Sequence, residues 1–157
     1  MGMRITEGLA VEAVMVRPPW RTFDEVITGL VGRLASCGSL PAALAEQAVH
    51  RIREREAIAS TAMVDIGVSI PHARVEGIEG VVVALAVSPT VVYEVADGLP
   101  ISIVALVLSS PSLTGEHLNF LPALSMLLQS EHTRDQLRHA ADAAEAMQVV
   151  QEDEARL

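Results

Sequence analysis

Two long apolar runs constrain the fold of this 157-residue chain more than any other feature. Residues 81–88 read VVVALAVS, and residues 101–108 read ISIVALVL. Both runs are continuous rather than alternating, and both are rich in β-branched and aliphatic side chains. Runs of this kind belong to strands in the middle of a sheet that helices cover on both faces. Shorter strands are predicted at residues 10–16, 68–70 and 91–95, with a turn at Asp97-Gly98.

Segments with helical spacing flank the predicted strands. Thr22 and Glu25 form a capping box before an apolar stripe that continues to Leu34, and Gly38 is expected to end this helix. A second helix is predicted from about Ser39 through the charged run at residues 51–56.

Helical spacing returns after residue 112. A helix that contains Pro122 is expected to kink there, because proline removes a backbone hydrogen bond. A short helix around residues 134–139 and a final helix capped by Asp142 are predicted to follow. The polar tail at residues 151–157 is expected to fray.

This order of elements predicts an α/β fold: a three-layer sandwich in which helices flank a mixed β-sheet. The length predicts a single domain over residues 1–157, with a core of about residues 7–150.

Charge and composition exclude several classes of function. The net charge is −9, and all 11 basic residues are arginine. An acidic chain without a basic stripe argues against a nucleic-acid partner and against an anionic membrane surface. The absence of lysine excludes Schiff-base chemistry and a Walker-type phosphate loop. No apolar run approaches the roughly 20 residues that span a bilayer, and no signal peptide is recognisable, so we expect a cytoplasmic protein.

His72 is the first candidate for chemistry. It follows Pro71, which fixes its own φ and favours an extended Ile70. We therefore expect His72 on a stiff loop at a strand end, where a neutral imidazole nitrogen could act as a nucleophile. The alternative is a turn histidine without a role.

His117 is the second candidate, because it lies in the first turn of a predicted helix after the strand at residues 101–108. Free N–H groups and the helix dipole favour anions there. The alternative is an ordinary polar first-turn residue. A zinc site of His72, His117 and either Asp65 or Glu116 has no tight ligand spacing to support it. The single cysteine, Cys37, is interpreted as a small apolar residue at a helix end.

Several blocks of the sequence resemble one family. Residues 55–61 (REAIAST) and 68–74 (VSIPHAR) are similar to its patterns REALGST and IAIPHAR. Residues 97–108 are similar to its pattern DGxPVxLVFLL, and the helix that begins at His117 to its pattern HLxxLAxLAxLL. The chain thus resembles, over about residues 7–150, the fructose/mannitol-type enzyme IIA domain of the bacterial phosphoenolpyruvate-dependent sugar phosphotransferase system, including its nitrogen-regulatory branch.

The resemblance implies a phosphoryl carrier without independent small-molecule turnover. His72 would accept a phosphoryl group from a histidine phosphocarrier protein, and His117 would orient its ring and contact the phosphate. Arg55 would neutralise the phosphoryl oxygens, and Thr61 could donate a hydroxyl. The group would pass to an enzyme IIB, or its presence would switch the binding of a target protein. The resemblance implies no metal or other cofactor.

The chain departs from the family pattern in the segment before His72. Residues 62–67 (AMVDIG) are one residue longer and poorer in glycine, and they include Asp65. The departure leaves open a binding module that keeps the fold without phosphotransfer. A metal-dependent hydrolase is a third possibility, and it would require bound zinc.

Overall fold

A mixed sheet of six strands forms the middle layer of the protein. The computed structural model describes residues 4–95, 98–113 and 119–157. The strands are β1 (Leu9–Val16), β2 (Ala62–Met63), β3 (Val68–Ser69), β4 (His72–Arg74), β5 (Val81–Val87), β6 (Tyr93–Val95), β7 (Leu99–Ile101) and β8 (Ile103–Ser109). The helices are α1 (Ile5–Gly8), α2 (Phe23–Ser36), α3 (Ala45–Ile58), α4 (Phe120–Gln129), α5 (Glu131–Arg138) and α6 (Ala143–Glu154), and a 3₁₀ turn spans Ala42–Leu44.

The two apolar runs supply the central strands of the sheet, as the sequence predicts. The strand order is β1-β5-β8-β3-β2, and β4 also pairs with β8. Strand β5 is parallel to β1 and antiparallel to β8, whereas β3 and β4 are both parallel to β8. Strands β6 and β7 form a separate antiparallel pair.

Helices cover both faces of the sheet and create two hydrophobic cores. One core, the α4–α6 core, also includes α1 and receives Val107 from β8. The other, the α2–α3 core, receives Leu106 and Leu108 from the same strand. Neighbouring residues of β8 thus point to opposite faces, and all three are buried. Burial of each such side chain contributes about 1.5–3 kcal/mol, which explains why the apolar run is continuous. The α/β sandwich with a mixed sheet, in a single domain, is confirmed.

The start of α2 is also confirmed. The hydroxyl of Thr22 accepts a hydrogen bond from the backbone N–H of Glu25 at 3.1 Å. Gly38, with φ of +84°, follows the end of the helix, where the left-handed conformation favours glycine. Asp142 caps α6 in the same way as Thr22 caps α2, through the N–H of Glu145 at 2.8 Å.

The next helix begins later than the sequence predicts. It starts at Ala45 rather than near Ser39, because Pro41 has an extended ψ of 129°. The N–H of Leu40 donates to Leu34 at the end of α2, which closes the chain onto the preceding helix.

The kink expected at Pro122 stays a prediction, because Pro122 is the third described residue of α4 and residues 114–118, which the expected helix includes, lie outside the described residues. The fraying expected at residues 151–157 is wrong for residues 151–154, because α6 continues to Glu154. Asp153 is buried and accepts a hydrogen bond from Thr133, and Glu154 accepts one from Thr6 at 2.8 Å.

Within the ranges given above, no helix is both long enough and apolar enough to cross a membrane.

Candidate functional site

Strand β4 positions His72 against the middle of the sheet. His72 is the first residue of this strand rather than part of a loop, and it pairs with Val107 of β8. Strands β3 and β4 pair with β8 in one continuous register, with Val68 opposite Ile103. Pro71 separates them because it has no N–H to donate, but its carbonyl still accepts from Val107 at 2.9 Å. The proline therefore interrupts the strand without moving His72 out of register.

The ring of His72 is fixed by a local hydrogen bond. Its Nδ1 lies 2.9 Å from the carbonyl oxygen of Ile70. A carbonyl oxygen can only accept, so Nδ1 carries the proton and donates. In the neutral ring the lone pair is then on Nε2. The half-buried imidazole thus has one nitrogen engaged with the backbone and one available for chemistry.

A small cleft of about 70 Å³ lies beside this ring. Side chains alternate along a strand, so His72 and Arg74 lie on the same face of the sheet. This face packs on the α4–α6 core, because His72 pairs with Val107 and Val107 belongs to that core. Both residues line the cleft, together with Leu113 and Phe120. The exposed guanidinium of Arg74 donates to the carbonyl of Pro111 at 3.2 Å, which holds it at the rim of the cleft.

Arg74 is a candidate that the sequence analysis did not single out. Alternation along a strand could have identified Arg74, because in a strand the residue two positions after His72 lies on the same face. The sequence predicts His72 on a loop, where side chains do not alternate in this way.

Arg55 lies in the last turn of α3, and Thr61 follows this helix just before β2. Helix α3 packs on β4 through the α2–α3 core, which includes Ile52 and Ala73. The guanidinium of Arg55 donates to the carbonyl of Ala59 at 3.1 Å, and Thr61 donates to the carboxylate of Glu56 from its hydroxyl at 2.8 Å and its N–H at 2.9 Å.

The structure does not bring Arg55 and Thr61 to the imidazole through a polar contact. Among residues 4–95, 98–113 and 119–157, no hydrogen bond or ion pair joins the ring of His72 to either side chain.

A small polar group lies on the α2–α3 side of β3. Burial raises the pKa of Tyr93, the charge of Glu56 adds to this increase, and the hydroxyl of Ser69 acts in the opposite direction. Ser69 is completely buried, and it is on the face opposite to Val68 and Ile70. Glu56 therefore accepts hydrogen bonds from Thr61 and also acts on the pKa of Tyr93.

His117 lies outside the described residues. The residues near both ends of that segment, Leu113 and Phe120, line the cleft of His72. Among the described residues, no group of three or more histidine, cysteine, aspartate or glutamate side chains could hold a metal ion.

A comparison with known families decides the classification. The family described as "Phosphoenolpyruvate-dependent sugar phosphotransferase system, EIIA 2" matches residues 9–153. The chain belongs to this family. The resemblance stated from the sequence is thereby confirmed, and membership supports a role as a phosphoryl carrier or regulator.

Similar proteins include members of the nitrogen-regulatory branch. The chain is 31% identical to the nitrogen regulatory protein of Pseudomonas aeruginosa over 127 residues, which cover 80% of this chain and 79% of the relative. The nitrogen regulatory protein IIA-Ntr from Neisseria meningitidis has a similar structure, with a TM-score of 0.73, 24% identity and coverage of 93% of this chain and 98% of that one.

A second structure is that of enzyme IIAMtl in complex with phosphorylated enzyme IIBMtl, both from Escherichia coli. It matches with a TM-score of 0.69 and 17% identity, and the match covers 91% of this chain and 96% of that one. The likeness to these structures shows that the fold is shared.

Proposed function

We propose that this EIIA protein accepts a phosphoryl group on Nε2 of His72 from a histidine phosphocarrier protein. One observation carries the proposal: the bond from Nδ1 to the Ile70 carbonyl holds the ring so that its lone pair is on Nε2. The Nε2 lone pair attacks phosphorus, and the bond between phosphorus and the donor imidazole nitrogen breaks with its electron pair. The donor ring, protonated on its other nitrogen, leaves as a neutral imidazole, and His72 keeps its Nδ1 proton, so the step transfers no proton.

The negative charge on the phosphoryl oxygens needs a cation close to His72. Phosphoryl transfer depends mainly on positioning and on stabilisation of this charge. Arg74 lines the same cleft as His72, and its exposed guanidinium can form paired hydrogen bonds to phosphoryl oxygens. We assign this role to Arg74. Arg55 is retained as a second candidate, to be tested beside it.

Thr61 is proposed to act through Glu56 rather than on phosphate. Its hydroxyl and its N–H both donate to the Glu56 carboxylate, and this pair closes the turn between α3 and β2. A role as direct donor to the phosphoryl group would require the hydroxyl bond to break.

His117 is proposed to be the neighbour of His72 that contacts the phosphoryl group. The support comes from the flanking residues, because Leu113 and Phe120 line the cleft of His72. Three residues of extended chain span at most about 11 Å, which limits how far His117 can lie from Phe120.

The proposed acceptor is an enzyme IIB or a regulated target protein. A similar fold is found in complex with a phosphorylated enzyme IIB, which supports the first possibility. The identity to a nitrogen regulatory protein supports the second, and we favour the regulatory branch. A phosphoryl group adds about −1.5 to −2 charges at neutral pH, enough to change what binds at the rim beside Arg74.

The test is phosphorylation with defined components. The chain is incubated with phosphoenolpyruvate, enzyme I and the phosphocarrier, and its mass is measured. We expect a gain of about 80 Da, the mass of one phosphoryl group. The gain should be absent in His72→Ala and unchanged in His50→Ala, since the His50 side chain is 70% exposed on α3. No adduct on the wild type would instead favour a binding module, which the altered segment before His72 left open.

A further inference from the structure

A groove at the other end of the sheet is not used by the proposed function. It has a volume of about 540 Å³ and lies where β1 and β5 end. These neighbouring strands are parallel, with Val16 opposite Val87. Crevices outside the carboxyl ends of strands are where α/β sheets bind ligands. The volume is within the range of about 300–1,000 Å³ that small-molecule sites occupy.

The groove is separate from the cleft of His72. Val87, at the groove end of β5, pairs with Ile103 of β8, and His72 pairs with Val107 of the same strand. Four residues along a strand correspond to about 13 Å. The lining residues of the two cavities do not overlap.

Two arginines make the groove locally cationic in a chain with a net charge of −9. Arg17 and Arg21 are both exposed. Within the part of the chain that the structure describes, neither arginine forms an ion pair with a carboxylate. Glu94 is an acidic residue of the lining, and its carboxylate lies beside Gly98 in the β6–β7 turn. The arginine side chains are therefore available to an anion.

The backbone at Arg17 supports a binding role. Arg17 has φ of +52°, the single positive value among non-glycine residues that the structure describes. Its N–H donates to the carbonyl of Val87 at 2.8 Å, which fixes this conformation at the end of β5. A non-glycine residue in the left-handed region costs roughly 1–3 kcal/mol, and such residues cluster at ligand-binding positions.

An aromatic ring completes the groove. Trp20 lines it, half-buried, and its indole lies on Gly29 of α2. A Cβ at position 29 would be 2.1 Å from the ring, so glycine leaves the space that the indole occupies. A tryptophan held in place beside two arginines offers an apolar surface for a flat ring and guanidinium groups for phosphate.

We propose that this groove binds a nucleoside phosphate, with its phosphate on Arg17 and Arg21 and its base against Trp20. The site does not use His72, so binding and phosphotransfer are independent properties of the chain. Both the anionic and the aromatic parts of the ligand contribute. Inorganic phosphate and an uncharged nucleoside are each expected to bind more weakly than the nucleotide.

The test uses the intact, unphosphorylated chain and no other phosphotransferase component. Trp20 is the single tryptophan of the sequence, so its emission reports on the groove alone. AMP, ATP, adenosine and inorganic phosphate are titrated separately, and calorimetry provides a readout that nucleotide absorbance does not affect. We expect saturable binding of AMP or ATP below about 1 mM, with Arg17→Gln and Arg21→Gln each weakening it about tenfold or more.

The control variant is Arg51→Gln, because Arg51 is a half-exposed arginine on α3, outside the groove. It should bind the nucleotide as the wild type does. Three results would each overturn the proposal: no saturable binding of either nucleotide, equal affinity for inorganic phosphate and nucleotide, or the same loss in Arg51→Gln as in the groove variants. The measurement requires no phosphorylation of His72, so its failure would leave the proposed function unaffected.

Discussion

The Nδ1 atom of His72 lies 2.9 Å from the carbonyl oxygen of Ile70, two residues earlier in the chain. The intervening Pro71 has a fixed φ and no N–H, so the turn that brings these two atoms together is stiff. The neutral ring therefore presents Nε2, and the predictions below test what surrounds it.

Replacement of His72 by asparagine should abolish phosphorylation and leave the fold intact. With the described residues the half-buried ring makes one hydrogen bond, and loss of such a bond costs about 0.5–1.5 kcal/mol of unfolding free energy. Mass measurement and urea denaturation of the same sample report the two effects separately. A destabilisation well above that range would indicate a structural histidine.

Replacement of Arg74 by glutamine should slow phosphoryl transfer by about 10- to 100-fold, because a charge-assisted hydrogen bond to the phosphoryl group is lost. Rapid-quench kinetics with the phosphorylated carrier as donor measure this rate. Arg55→Gln, measured in parallel, should have a smaller effect, since Arg74 lines the cleft of His72 and Arg55 does not. A larger effect of Arg55→Gln would reverse the assignment.

Replacement of Thr61 by valine should lower stability rather than transfer rate. The valine side chain cannot donate to Glu56, whereas the backbone N–H still does. Loss of one hydrogen bond to a charged group costs about 1.5–3 kcal/mol, and we expect the lower end at this half-buried position. Urea denaturation gives the stability, and the transfer assay gives the rate. A rate loss without destabilisation would mean that the hydroxyl acts on phosphate.

Tyr93 should make the protein less stable in alkaline solution. Burial raises the pKa of Tyr93, and Glu56 raises it further against the opposing effect of Ser69. Above about pH 10 the unfolded chain loses this proton while the folded chain retains it, so the free energy of unfolding falls as pH rises. Tyr93→Phe should remove the part of this fall in the free energy of unfolding that is due to Tyr93. Identical pH profiles for both proteins between about pH 8 and 11 would contradict the assignment.

Two glycines of α2 should respond in opposite directions to alanine. At Gly29 a Cβ would be 2.1 Å from the Trp20 ring, so Gly29→Ala should destabilise the protein by about 1–3 kcal/mol and change the tryptophan emission. At Gly32 the same Cβ meets no described atom within 4 Å, so Gly32→Ala should stabilise the protein by about 0.5–1 kcal/mol through helix propensity. Thermal denaturation of the pair tests whether the indole occupies this space.

The sequence predicts the layers of the fold because local patterns determine them. A continuous apolar run such as residues 101–108 requires cover on both faces, and Thr22 and Asp142 start helices through bonds to the N–H three residues later. The start of α3 could not be predicted, because the bond from Leu40 to Leu34 depends on how the chain turns back on α2.

The site is predictable in part for a similar reason. The Ile70-Pro71-His72 order predicts a constrained imidazole. Alternation along β4 places Arg74 on the same face of the sheet as His72, and this favours Arg74 over Arg55. The inference requires β4 to be a strand, whereas the sequence predicts a loop at His72. The bond from Thr61 to Glu56 is likewise a property of the folded turn after α3.

The most direct test of the account is the position of the phosphoryl group on the ring. Nitrogen and phosphorus NMR of the phosphorylated, ¹⁵N-histidine-labelled chain assigns both the residue and the nitrogen that carries phosphorus. The account predicts phosphorus on Nε2 of His72, with Nδ1 still protonated and bonded to Ile70. Phosphorus on Nδ1 of His72, or on any other histidine, would contradict it.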